Sequence, residues 1–174
     1  MRRSKISGLR QVIVRVLCVA GLALGAQAQA QLLGDAAWQE AEVPEPPAFN
    51  LERLLRFEVN PNSSLVYAID PQTLSISPQD RVVRYVIVAS SPGGVRNVFY
   101  EGIRCPAGQV KTYARYSEGR WIKLSDPQWQ DMASRPSRHA LQLARQGGCD
   151  NSGTPLRPDD ILRALRQTGQ ASVR

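Results

Sequence analysis

A single histidine and three cysteines among 174 residues leave little for metal or redox chemistry. No Cys-x-x-Cys pair is present, so a dithiol redox motif is excluded, and two or three cysteines with one distant histidine, His139, make a poor zinc ligand set. Gly-x-Ser-x-Gly, His-Glu-x-x-His and Ser-x-x-Lys are all missing, which removes the common signatures of serine hydrolases, zinc proteases and penicillin-binding enzymes. The Gly93-Gly94 corner has neither a following Lys-Ser/Thr nor a helix and is no phosphate loop. No apolar run reaches the ~20 residues that a membrane-spanning helix needs. No cofactor is expected, and no residue is nominated as a catalytic nucleophile.

What is present is first an address. Arg2, Arg3, Lys5, Arg10 and Arg15 precede an uninterrupted run of apolar and small residues, Val16 to Ala26. Ala26-Gln27-Ala28 and Ala28-Gln29-Ala30 follow, each with small residues where a signal peptidase requires them. Residues 1–30 are therefore expected to be a secretory signal peptide, cleaved near Ala28 or Ala30, with Cys18 lost and no lipid anchor. The destination expected is the periplasm or cell envelope. The leader also explains most of the formal charge of +7, because residues 31–174 hold 17 basic and 15 acidic side chains. Export and this near-neutral remainder argue against nucleic acid as a partner.

Cys105 and Cys149 then remain, and an even pair in an exported chain reads as a disulfide. About 144 residues suffice for one domain with a modest core. The expected organisation is an acidic, Pro-rich lead-in at 31–50, a single domain at 51–150, and a tail at 151–174 with a short amphipathic helix. The lead-in, with Pro44, Pro46 and Pro47, reads as extended and mostly on the surface, after a possible short helix over Asp35–Glu42.

From Leu51 the pattern is strand-like. Short β-prone runs at 54–59, 65–69 and 73–76 are separated by Asn-Pro, Asp-Pro and Ser-Pro turns. Arg81–Ser91 is apolar on both faces at Tyr85–Ala89, as in a central strand covered on both sides. Runs at 95–105, 110–116 and 120–124 complete a meander. Ser137–Gln146 predicts a helix ended by Gly147-Gly148, and Pro158-Asp159-Asp160 opens another with Ile161, Leu162 and Leu165 on one face. The fold class expected is α+β: an antiparallel sheet of about five to seven strands, with one or two helices packed on it late in the chain.

Two groups of residues are candidates for function. Glu101 shares a strand face with Phe99, Ile103 and Cys105, so an inward Cys105 carries Glu101 inward. A buried carboxylate must be paired, hydrogen-bonded or protonated, and Arg84, Arg104 and Arg115 are the candidate partners. A structural ion pair, a functional carboxylate and a bulge that exposes Glu101 are the alternatives. The second group interleaves Tyr100, Tyr113, Tyr116 and Trp121 with Arg104, Arg115 and Arg120, a mixture that either packs a sheet beneath solvated arginines or binds anionic polymers by stacking and charge. His139, beside Arg138, reads as a surface or partly packed histidine. Charge is uneven: residues 31–80 hold 2 basic and 8 acidic residues, and 81–174 hold 15 basic and 7 acidic. The halves can neutralise one another in a fold or leave a basic face.

Arg84-Tyr85, Ser90–Gly94, Asn97-Val98 and Tyr100-Glu101-Gly102-Ile103-Arg104-Cys105 together resemble the cryptic neisserial protein family. Trp38-Gln39-Glu40, Tyr113-Ala114, Trp121, Trp129 and Cys149 fit the same pattern. The resemblance implies an exported, envelope-associated protein of Gram-negative bacteria and carries over no active-site residue. The function expected is a non-enzymatic binding or interaction domain for an envelope protein or anionic polymer. The alternatives are an enzyme on cell-wall substrates working through a carboxylate such as Glu101 or Asp70, and a carrier of small ligands between sheet and helix.

Overall fold

In the computed structural model, residues 38–171 are described, without the side chains of 169–171. The expected signal peptide and residues 31–37 of the lead-in lie outside the described residues. The chain divides into two compact units, Met1–Gln39 and Glu40–Arg174, and the account below concerns the second. Residues 38–42 are not helical, so the described part of the helix expected over 35–42 is absent.

Among the described residues eight strands form one antiparallel sheet: β1 (Leu55–Phe57), β2 (Val66–Ile69), β3 (Ser75–Ile76), β4 (Val83–Ser90), β5 (Arg96–Arg104), β6 (Gln109–Ser117), β7 (Arg120–Lys123) and β8 (Gln130–Asp131). The continuous order is β1-β2-β4-β5-β6-β7. The two-residue β3 lies on the same edge of β4 as β2, and the two-residue β8 on the same edge of β6 as β7. A turn capped by the Asp131 carboxylate follows β8. Two helices follow, α1 (His139–Leu143) and α2 (Pro158–Ala171). The α+β expectation and the β4–β7 meander are borne out. No helix among the described residues is long and apolar enough to cross a membrane.

Seven of the eight β4 residues are buried, because the sheet is covered on both faces. Tyr85, Ile87 and Ala89 point with Ile103 and Val110 toward Ala140, Leu143, Ile161 and Leu165 of the helices. Val86 and Val88 point the other way, with Val98, Tyr100, Tyr113 and Ala114, onto Val43, Phe49 and Trp121. Alternation along β4 thus feeds two cores, which is why the strand reads as continuously apolar.

α1 is shorter than the helix expected over 137–146. It passes after five residues into a wide turn over Ala144–Gly148, where Gly147 takes φ 127°. A Cβ at Gly147 would stand 2.6 Å from the Cβ of Ala164. Close approach of α2 and a backbone region open to glycine therefore coincide there. Cys149 follows and is disulfide-bonded to Cys105 beyond the end of β5, as expected. α2 begins with Pro158, Asp159 and Asp160, which suit a helix N-terminus, and it continues to Ala171.

Candidate functional site

Glu101 is 1% exposed on the helix-covered face, and no arginine from the candidate set pairs with it. Its carboxylate accepts from the Thr112 hydroxyl at 2.9 Å and the Tyr85 hydroxyl at 3.2 Å. Its third partner is Nε2 of His139, at 2.7 Å. β6 carries one extra residue opposite the Tyr100–Glu101 step, a bulge that leaves Glu101 buried rather than exposed. Burial opposes the charge of Glu101. The facing His139 ring, Arg135 and the Thr112 hydroxyl outweigh it and hold the carboxyl below its ordinary range.

His139 is buried, not at the surface. It stacks on Tyr67 with centroids 5.4 Å apart, and the Ser137 hydroxyl lies 2.8 Å from Nδ1. Ser137, His139 and Glu101 form a hydroxyl–imidazole–carboxylate line that fastens the start of α1 to the middle of the sheet.

The opposite face is covered by residues 40–50, which run as an extended strap. Part of the expected lead-in is therefore extended but packed. Buried aspartates clamp both of its ends: the Ala41 N–H donates to Asp80 and the Asn50 N–H to Asp70. Asp80 also takes two hydrogen bonds from the Arg84 guanidinium, and Asp70 takes two from Arg53. Burial works against ionisation of Asp80, yet Arg84, the Val82 N–H and their neighbours bring its pKa down to about 2. Prolines 44, 46 and 47 suit this position, since they bring no N–H that burial would leave unpaired. The Pro47 carbonyl accepts from the Trp121 indole, and Phe49 sets its ring edge-on to Tyr116 at 4.9 Å and Trp121 at 5.6 Å.

Glu40 opens the strap and is held by donors from three places. The Tyr113 hydroxyl lies at 2.6 Å, Lys111 Nζ at 2.7 Å, the Trp129 indole at 3.3 Å and the Arg84 guanidinium at 3.8 Å. Burial, together with its bond to Glu40, raises the Tyr113 phenol far above its ordinary range and keeps it a proton donor. Gly102 makes this reach possible. A Cβ there would meet the Tyr113 hydroxyl at 2.4 Å and Val82 at 2.8 Å. Gly102→Ala is accordingly expected to push Tyr113 off Glu40 and to destabilise the fold by about 1–3 kcal/mol, read as a lower denaturation midpoint with a changed tyrosine environment in near-ultraviolet circular dichroism.

Where the strap ends, two surface clefts adjoin. One, of about 700 Å³, is walled by Phe49, Leu51, Tyr116 and Trp121 with Arg120 on its rim. The other, of about 540 Å³, shares Phe49, Leu51 and Tyr116 and brings in Arg96 and Arg115. Leu51 is 41% exposed, and the three arginines are exposed as well. Glu52 and Glu118 lie among them, leaving one net positive charge around an aromatic floor.

The candidates from the sequence thus separate onto two faces. Tyr100, Tyr113 and Trp121 form one aromatic chain under the strap, with Tyr100 5.4 Å from Tyr113 and 6.5 Å from Trp121, and Arg84 lies over the Tyr113 ring. Arg115 lines one of the clefts, Arg104 sits half-buried at the end of β5, and Glu101 points to the helix-covered face, away from the aromatic chain. Asp70 is fully buried and occupied by Arg53, Asn50 and Gln72. Glu40, Lys111, Trp129, Asp80 and His139 were not singled out as partners. Glu40 and Trp129 did stand in the sequence pattern that carried the resemblance. Among the described residues no group of three His, Cys, Asp or Glu could hold a metal ion.

These features define a stapled α+β sheet domain with a strapped face and an aromatic, arginine-rimmed double cleft. The chain belongs to the CNP1-like family, whose model matches residues 34–166, and this bears out the resemblance carried by the Tyr100–Cys105 segment. No match is found among curated proteins or among solved structures.

Proposed function

We propose that the protein is an exported envelope domain, acting in the periplasm after signal peptide cleavage near Ala28 or Ala30, that binds an anionic polymer without catalysing a reaction. The observation that carries the reading is the double cleft. Phe49, Leu51, Tyr116 and Trp121 offer apolar and stacking surface, and Arg96, Arg115 and Arg120 offer charge beside it. The leader and the Cys105–Cys149 staple support export, since such bonds persist in oxidising compartments. Glu101 and Asp70, the carboxylates an enzymatic reading would use, are enclosed and committed to structural partners.

The test compares a sulfated with a neutral polymer. Dextran sulfate is expected to bind and uncharged dextran is not, with affinity falling as salt rises. The double variant Arg115→Glu/Arg120→Glu is expected to lose about tenfold or more of that affinity, because cleft charges meet the polymer directly. Arg145→Glu/Arg163→Glu makes the same net charge change away from the clefts and is expected to lose far less. Equal losses in the two variants would reduce the binding to net charge and overturn the reading.

A further inference from the structure

Between the strap and the sheet, upstream of the clefts, lies a separate cavity of about 200 Å³. Val43, Pro44 and Pro46 roof it, and Tyr100 and Leu124 lie below. Lys111, Lys123 and Tyr113 complete the polar part of its lining beside Tyr100. We infer that this cavity is a binding site for a small carboxylate with a compact apolar body, its acid group on Lys123.

The chemistry of the wall selects that class. An apolar chamber with a few convergent polar groups is the usual form of a small-molecule site, and here the ionised ones are both cations. The volume is that of about seven waters at ~30 Å³ each, so the body is on the order of one six-membered ring. Prolines in the roof limit its backbone freedom, and the clamps at Asp70 and Asp80 hold the roof at both ends, so the chamber is built before a ligand arrives.

The same wall already recognises carboxylates. Lys111 and Tyr113 hold Glu40 of the strap, and Lys123 pairs with Glu45. The two pairs differ in accessibility. Lys111 and Glu40 are 14% and 16% exposed, whereas Lys123 and Glu45 are 62% and 79% exposed. An exposed ion pair contributes little, so Lys123 can exchange Glu45 for an incoming acid while the Glu40 contact stays in place.

Benzoate, benzyl alcohol and benzylamine probe the site, followed by nuclear magnetic resonance at the Val43 and Leu124 methyl groups. Benzoate is expected to shift these signals saturably and to bind about tenfold or more tightly than benzyl alcohol, with no saturable shift from benzylamine. Lys123→Ala is expected to weaken benzoate several-fold, and Glu45→Gln, which removes the competing acid, to strengthen it. Val43→Phe fills the chamber and is expected to abolish binding in a protein that still melts cooperatively. If that variant does not fold, the exposed Lys123→Ala decides. Equal affinity for benzoate and benzyl alcohol, saturable shifts that map elsewhere, or no shift by about 20 mM benzoate would each overturn the inference. Arg115→Glu/Arg120→Glu leaves benzoate binding unchanged, so failure of the cleft and failure of the cavity are told apart.

Discussion

Glu101→Ala is expected to destabilise the protein by about 3–5 kcal/mol, the range for removing one partner from a buried charged network. The change strands three donors at once: the Tyr85 and Thr112 hydroxyls and Nε2 of His139. It also empties the volume of a side chain that is 1% exposed. Domains are stable by only about 5–15 kcal/mol, so a large part of the folded margin disappears. Glu101→Gln keeps the volume but presents an amide where only acceptors fit, and it is expected to cost about 1–3 kcal/mol. Denaturant midpoints at unchanged slope measure both.

The acid limb of the stability profile carries the same network. The Glu101 carboxyl is held below its ordinary range in the fold. Its contribution is therefore complete above the pKa it has in the unfolded chain and is lost as pH falls through the lower, folded value. Asp80, at about 2, acts with the same sign. Glu101→Gln is expected to flatten the profile between the unfolded and folded pKa values of Glu101 while the Asp80 contribution stays in place.

Loss of the Cys105–Cys149 bond is the second large effect. It closes a 44-residue separation, for which the chain-entropy relation gives about 3–4 kcal/mol. Cys105→Ala/Cys149→Ala, or reduction and alkylation, is expected to lower the melting temperature by on the order of 10 °C. The loop so closed contains β6, β7, β8 and α1, and with them both Thr112 and His139. The staple and the Glu101 network therefore restrain the same segment, and combining Glu101→Ala with the cysteine pair is expected to be non-additive.

Much of the sheet was legible because its strands alternate and its turns carry Pro, Gly, Asn and Asp. The 83–90 strand revealed both of its covered faces by being apolar on both. The direction of Glu101 followed by parity from Cys105, four residues on. Its partner did not, because His139 arrives from 38 residues away on a helix whose register against the sheet no local pattern fixes. The strap was misjudged for the same reason. Its prolines and glutamates read as a solvated lead-in, and what holds it down is a set of bonds to Asp70, Asp80, Lys111, Tyr113 and Trp121, all distant in sequence. β3 and β8, two residues each, are too short to produce a period. The double cleft depends on Phe49 and Leu51 meeting Tyr116, a juxtaposition that only the folded strap creates.

The most direct test of that cleft is chemical-shift mapping of the isotope-labelled protein with short dextran sulfate oligosaccharides. Perturbations confined to Leu51, Arg96, Arg115, Tyr116, Arg120 and Trp121 are the predicted result. Perturbations spread over α1 and α2, or centred on Arg145 and Arg163, would contradict it.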